Sequence, residues 1–293
     1  MKAPKAHWPT VAIVGVGMIG GSIGLALKAR KLAGRVIGIG RSATSLSEAK
    51  RLHAIDETAT DIASAVAMAD LVVVAAGVAS IAWILDEVDA AVRPGTLLTD
   101  AGSTKASIVA AWEKRRRSRP ASAGGRHGRF VGAHPLAGSH RRGPAAADPM
   151  LFNGRVTIVT PATATPAKDV EEIGGFWSSL GSTVFTMPPR DHDRILAMTS
   201  HAPHVMAAAV AAATPAEARQ FTAGGWRDTT RIAAGDPELW ADILLDNATA
   251  VARALSRIAG VTEKMLVAIE SNDRRRLVSL LTRAKEDRDA VGS

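Results

Sequence analysis

A doubly wound α/β domain followed by an all-α domain is the architecture that this 293-residue chain predicts. Three observations carry the expectation. Short β-branched runs alternate with helical stretches from Val11 to about Thr186. A Gly-x-Gly-x-x-Gly turn, Gly15 to Gly20, joins the first run to the first helix. After Pro188-Pro189 strand patterning stops, and Ala-, Leu-, Arg- and Glu-rich sequence continues to the end. The change divides the chain into 1–188 and 189–293.

The elements follow in order. Val11–Val14 reads as a strand, Ile23–Lys31 as a helix and Arg35–Ile39 as the second strand. Strands are expected at Leu71–Ala75, Thr96–Thr99, Phe130–Ala133, Val156–Thr160 and Thr183–Thr186. Helices fall between them at Ile81–Val92, Lys105–Arg115 and Lys168–Leu180. In the second half the spacing predicts helices over 191–212, 215–223, 237–258, 261–271 and 273–289, separated by Pro215, Gly235-Asp-Pro237, Gly260 and Asn272. Asp236-Pro-Glu-Leu is a strong start signal, with Asp as N-cap and Pro at the first helical position.

Composition narrows the function classes. Hydrophobic residues are 47% and charged residues 22%, as in a soluble globular protein. There is no cysteine, which excludes disulfides and thiolate chemistry and fits a reducing cytoplasm. No signal peptide or bilayer-crossing apolar stretch is expected, so neither is a membrane partner. The formal charge of +8 comes largely from Lys114-Arg-Arg-Arg117, Arg119, Arg126, Arg129, Arg141-Arg142 and Arg274-Arg-Arg276. Those runs lack interleaved aromatics, and the chain has no tyrosine. They read as solvated basic loops near anionic ligands, with no nucleic-acid partner.

The glycine turn has a chemical reading. Gly15 permits the tight turn, Gly17 lets backbone approach a pyrophosphate, and Gly20 allows close helix packing, with Met18 and Ile19 opening the helix whose N-terminus faces the phosphates. Ala76 and Gly77, past a later strand, join the cofactor-binding set. An NAD site would place an acid at the end of the second strand, to bind the ribose hydroxyls. Here that end reads Ile39-Gly-Arg41-Ser42-Ala-Thr44, a cation and hydroxyls suited to a 2′-phosphate, so NAD(P)+ is expected with NADP favoured. Asp100-Ala-Gly-Ser-Thr-Lys105 puts Ser103 at the same sheet edge, where it can also serve as a plain N-cap.

His134, in Phe130-Val-Gly-Ala-His-Pro-Leu-Ala-Gly-Ser139, is expected on the loop after a strand, where a nicotinamide would lie. Neutral imidazole is a base that works near pH 7. In the helical half, His201 and His204 of Ser200-His-Ala-Pro-His share one helix face. With His192 they face an anionic substrate rather than a metal, since no carboxylate stands at matching spacing. Gly224-Gly-Trp-Arg-Asp-Thr-Thr-Arg-Ile232 offers Arg231 as a planar fork for a carboxylate, or else a salt-bridge network of Arg227, Asp228 and Arg231.

Taken in this order, the motifs resemble the prephenate/arogenate dehydrogenases of tyrosine biosynthesis over nearly the whole chain. The resemblance implies an oxidative decarboxylation of prephenate or arogenate with hydride transfer to NAD(P)+. It implies that His134 accepts the proton of the substrate's ring hydroxyl and that Ser103 orients His134 and the nicotinamide. It further implies that Arg231 binds a substrate carboxylate, with His204 and Ser139 nearby, His201 and Asp228 in support, and Trp240 close to the site. One departure is His140, where the family often carries Glu. No regulatory or mutase domain is expected beyond the helical half. The family dimerises through that half, and small-residue runs such as Met206–Ala213 suit close helix packing, so a symmetric homodimer with Arg231 near its interface is expected. Rival readings are a two-domain dehydrogenase for a 3-hydroxy acid or pyrroline, which would typically place a lysine in the helical half, and a non-catalytic nucleotide sensor, which would need neither His134 nor Ser103.

Overall fold

The computed structural model describes residues 8–118, 128–138 and 141–292. Its first part alternates β1 (Trp8–Val14), α1 (Met18–Ala29), β2 (Ala33–Ile39), α2 (Ala43–Arg51), β3 (Glu57–Ala59), α3 (Ile62–Val66), β4 (Leu71–Val74), α4 (Val78–Ala91), β5 (Leu97–Asp100), α5 (Ala106–Ser118), β6 (Arg129–Pro135), β7 (Val156–Thr160), α6 (Ala167–Ser179) and β8 (Thr183–Thr186). The eight strands form one sheet in the order β3-β2-β1-β4-β5-β6-β7-β8. Successive residues of a strand point to opposite faces. Val11, Ile13, Leu71 and Val73 therefore enter one core with α1 and α6, while Ala12, Val14, Val72 and Val74 enter a second with α3, α4 and α5. Burial on both faces explains why these strands read as unbroken apolar runs.

The order reverses direction between β1 and β4, so the loops after both strands diverge and leave a crevice at their carboxyl ends. Strands β1 to β6 are mutually parallel, which puts the ends of β1, β4, β5 and β6 on one edge. The sheet is not wholly parallel, because β7 runs antiparallel to β6 and pairs Ile158 with His134. His134 is accordingly the penultimate residue of a strand, and not on the loop beyond it. The antiparallel partner extends the ladder to Pro135 by lending its backbone groups.

Three short elements escape the periodicity reading. β3, α2 and α3 span at most nine residues, too few for a clear hydrophobic repeat. Their caps are in the sequence nonetheless: the Ser42 hydroxyl accepts from Ser45 N at 3.2 Å and the Asp61 carboxylate from Ser64 N at 2.8 Å.

The second part is helical: α7 (Pro189–Leu196), a π turn (Ala197–His201), α8 (Ala202–Ala213), a 3₁₀ turn (Ala216–Phe221), α9 (Gly224–Thr230), a second 3₁₀ turn (Arg231–Ala234), α10 (Pro237–Asp246), α11 (Ala248–Glu270) and α12 (Arg274–Asp289). Asp236 caps α10 by accepting from Leu239 N at 2.8 Å, with Pro237 in the first turn. The break expected at Gly260 lies instead at Asn247, and α11 runs straight through the glycine. A mid-helix glycine costs only about 1 kcal/mol, whereas the Asn247 side chain is tied to other elements and interrupts the helix. The segment after Pro215 is 3₁₀ rather than α. The segment Pro189–Ala213 also corrects the expectation about apolar stretches, since by length and composition it could cross a bilayer. Here it buries His192, Asp193, His201 and His204 within the protein.

Several basic side chains have structural partners. Arg129 pairs with Asp169 and Glu172, Arg115 with Asp86, and Arg142 with Asp236.

Candidate active site

The crevice at the ends of β1, β2 and β4 is a cavity of about 640 Å³, lined among others by Gly15, Gly17, Arg41, Ser42, Ala76 and Gly77. The glycines there fit a pyrophosphate. Gly15 sits at φ +95°, where a side chain is strained, and a Cβ on it would lie 2.5 Å from the Ala75 carbonyl oxygen. A Cβ on Gly20 would lie 1.9 Å from the Gly15 oxygen, so this glycine serves the packing of α1 on the turn. At Gly17 a Cβ would meet nothing within 4 Å: the backbone faces open space at the N-terminus of α1, whose cap has no side-chain hydrogen bond and whose first turn has no acid. The N–H groups and dipole of a helix start attract an anion. Met18 and Ile19 form the first turn behind that cradle and, like Gly20, do not line the cavity. Among the described residues no Asp or Glu lines it, and Arg41 is exposed at its rim.

The next strand ends carry His134. Asp100 closes β5, and its Oδ1 accepts from Ala133 N at 3.0 Å, one residue before His134. Its Oδ2 accepts from Gly102 N at 2.9 Å and from the Lys105 ammonium. Lys105 Nζ also donates to the Ala133 carbonyl at 2.9 Å. Both side chains are wholly shielded from solvent. Burial draws the Lys105 pKa down from its ordinary value, while Asp100 pulls it up. This pair grips both backbone groups of Ala133 and so sets the direction in which the following imidazole leaves the strand.

His134 Nδ1 lies 2.9 Å from His192 Nε2, and the rings meet edge to face with centroids 5.1 Å apart. Burial, together with His192, Lys105 and His201, holds the His134 pKa well below the usual histidine value, so the ring is a free base at neutral pH. His192 is fully buried and its Nδ1 lies 2.7 Å from Asp193 Oδ1. The Asp193 carboxylate also accepts from Lys105 N at 2.8 Å and Ala106 N at 2.9 Å, at the start of α5. Burial raises its pKa, but the hydrogen bonds from His192, Ala106 and Lys105 outweigh that and keep it ionised.

Nine residues separate His192 from His201, and at about 100° per residue an unbroken α-helix would place them on opposite sides. The π turn Ala197–His201 absorbs about one extra residue and brings the two rings to one side. Pro203, just downstream, has no N–H for the carbonyl four residues back and crowds it, which favours a widened turn there. The Asn247 side-chain amide donates to the Asp193 carbonyl at 2.8 Å and lies 3.2 Å from His201 Nδ1. Burial pushes the His201 pKa to about 4. Trp240 stacks on His204 at 3.6 Å, and His201 meets the same indole edge-on. Gly235 makes room for the stack, since a Cβ there would lie 2.4 Å from Trp240 Nε1. His204 Nδ1 is buried without a hydrogen-bond partner among the described residues.

The residues expected at the site thus fall into groups. His134, His201, His204 and Trp240 come together, joined by His192. Ser103 sits on the β5–α5 loop, between Gly102 and Lys105, while the contact at His134 Nδ1 is with His192. Arg227, Asp228 and Arg231 are exposed on α9 and the 3₁₀ turn that follows, which packs on α8; no ion pair holds them among the described residues. Ser139 and His140 lie outside the described residues. Sequence reasoning missed Lys105, Asp193 and Asn247 altogether. A signal existed for the first, as the last residue of the strand-end run Asp100–Lys105; Asp193 and Asn247 carry none without the fold.

A dinucleotide cradle, a buried imidazole base at the next strand ends and a helical wall of imidazoles define a two-domain NAD(P)-dependent oxidoreductase. Comparison with known proteins makes the class specific. The family model "Prephenate dehydrogenase, nucleotide-binding domain" matches residues 23–186, and "Prephenate dehydrogenase, dimerization domain" matches residues 188–283. The chain belongs to the prephenate dehydrogenase family. It is 33% identical over 289 residues to the prephenate dehydrogenase of Bacillus subtilis, covering 96% of this chain and 76% of that one. It is 32% identical over 270 residues to the cyclohexadienyl dehydrogenase of Zymomonas mobilis, covering 90% and 89%. Among solved structures, prephenate dehydrogenase from Aquifex aeolicus in complex with hydroxyphenyl propionate and NAD+ superimposes with a TM-score of 0.85 at 29% identity, over 97% of this chain and 98% of that one.

The buried pair at the heart of the site yields a stability prediction. Lys105→Ala strands the Asp100 carboxylate and is expected to cost about 3–5 kcal/mol of unfolding free energy. Urea unfolding of the variant beside the parent protein checks this; a loss below about 1 kcal/mol contradicts the clamp.

Proposed function

We propose that this protein catalyses the oxidative decarboxylation of prephenate or arogenate, as a cytoplasmic enzyme of tyrosine biosynthesis. Residues 1–188 hold NAD(P)+ and 189–293 complete the substrate site. The observation that carries the reading is His134, an unprotonated imidazole clamped at the sheet edge that carries the cofactor cavity and walled by His201, His204 and Trp240. Bound NAD(P)+ supplies the hydride acceptor. His134 takes the proton of the substrate's ring hydroxyl, and the resulting dienone loses its C1 carboxylate as CO₂, leaving a phenolate that recovers the proton. Ser103 positions the reacting groups. Arg231 binds a substrate carboxylate, with Asp228, His201, His204, Ser139 and Trp240 around it. The cofactor rests on Gly15, Gly17, Arg41, Ser42, Ala76 and Gly77, with Met18, Ile19 and Gly20 building the helix start behind the phosphates and Ser103 toward the nicotinamide.

The decisive experiment is a spectrophotometric assay of prephenate and arogenate, each with NAD+ and NADP+. His134→Asn is expected to lower turnover roughly 10²–10⁴-fold with cofactor affinity little changed; near-full turnover refutes the assignment. The pH profile carries a sign. The base is active when unprotonated and its pKa lies below the ordinary value of about 6.5, so kcat/KM should stay flat through pH 6.5 and fall only at more acid pH. Stability should begin to decline earlier, as the pH falls below about 6.5 toward the lowered native values, because in that window the unfolded chain binds protons that the buried histidines do not.

NADP is the proposed preference, supported by Arg41 at the cavity rim and the absence of an acid from its lining. Arg41→Ala should weaken NADP+ selectively by about 1–3 kcal/mol. Equal losses for both cofactors in binding titrations would assign Arg41 to stacking on the base instead.

The protein is also proposed to be a symmetric homodimer through its helical half. Supporting this, Leu245, Leu266, Ile269 and Leu281 are each more than half exposed, and α12 buries no residue within the chain. Light scattering is expected to give twice the chain mass; a stable, fully active 30.5 kDa species at micromolar concentration refutes it.

A further inference from the structure

We infer that Asp193 and His192 form a relay that fixes His134 as the tautomer protonated on Nδ1, leaving its Nε2 lone pair to act as the base. His192 is thereby a positioning residue for the reaction. The inference rests on His134 being the base of the proposed reaction, and adds how it is kept in the competent form.

Hydrogen-bond capacity, with His192 neutral, forces the assignment. An ionised carboxylate only accepts. Asp193 Oδ1 takes the Lys105 N–H at 2.8 Å, and its Oδ2 takes the Ala106 N–H at 2.9 Å, so the carboxylate is anchored on the first turn of α5. The His192 Nδ1 that lies 2.7 Å from Oδ1 must therefore carry a hydrogen. His192 is enclosed by protein and neutral, since burial lowers its pKa against the opposing pull of Asp193. A neutral imidazole with hydrogen on Nδ1 has its lone pair on Nε2. That atom stands 2.9 Å from His134 Nδ1, which must then donate. The only remaining lone pair on His134 is at Nε2.

The arrangement matters because a free imidazole favours hydrogen on Nε2, the form that could not accept a proton there. Once His134 takes the hydroxyl proton at Nε2, its Nδ1–H stays directed at His192, and the Asp193 carboxylate stabilises the new charge through that ring. No bond in the relay has to break. Other charges facing the group are Lys105 with Asp100 from the β5–α5 loop, Asp246 from the end of α10, and His201 and His204 from the π turn and α8.

The test is long-range ¹⁵N–¹H NMR of the ring-labelled protein near pH 7.5, read together with steady-state kinetics. Wild-type His134 is expected as the Nδ1–H tautomer. His192→Phe keeps a ring in the cavity but removes the acceptor, so His134 should change to the Nε2–H form. In that variant kcat should fall about 10–100-fold while KM changes little. His192→Gln, whose amide oxygen can stand where Nε2 stands, should retain more of both. An Nε2–H form of His134 in the wild-type protein overturns the inference. So does a tautomer and kcat unchanged by His192→Phe. Should that variant not fold, the wild-type spectrum decides alone. The spectra need no turnover, so a chain inactive on prephenate and arogenate would refute the proposed reaction and leave the relay judged separately.

Discussion

The buried contact between Asp100 and Lys105 is the constraint on which the site depends. Two opposite charges with no access to water persist only when their remaining hydrogen-bonding capacity is filled. Here it is filled by the backbone of Gly102 and by both polar groups of Ala133. The ends of β5 and β6 are thus locked together at the level of His134. The same loop continues into the first turn of α5, whose N–H groups hold Asp193. One ion pair therefore ties together the sheet edge, His134 and the first helix of the second domain.

Around that unit the two domains divide the chemistry by what each kind of element can offer. The parallel sheet presents loop backbone and a helix N-terminus, which suit phosphate, and its glycines are placed where a side chain would collide or block the approach. The helical domain presents long side chains from adjacent turns, which suit a shaped pocket for an anion. Asn247 joins the two halves of that wall: it interrupts the helical run between α10 and α11 and reaches both the Asp193 carbonyl and His201.

Much of this was legible in the sequence. Strands buried on both faces announce themselves as apolar runs, and the glycine turn, the Asp236 cap and the histidine motifs are local signals whose meaning does not depend on distant residues. Short elements such as α2 and α3 were lost because nine and five residues carry too little periodicity, although their caps were there to read. His134 was placed one step too far along because the ladder that holds it in a strand is contributed by β7, 24 residues away at Ile158.

The sequence by itself determined the two-part architecture, the glycine turn of the nucleotide cradle and the family, because each is written in contiguous residues with fixed spacing. The tertiary structure alone decided which histidine touches which. His192 and His201 share a face only because a π turn adds a residue between them, and His192 reaches His134 only because the helical domain docks on the end of β6. Asp193, Lys105 and Asp100 are ordinary charged residues in the sequence. Buried together, they bond to one another, to His192 and to the backbone around His134, and that necessity gives the site its geometry.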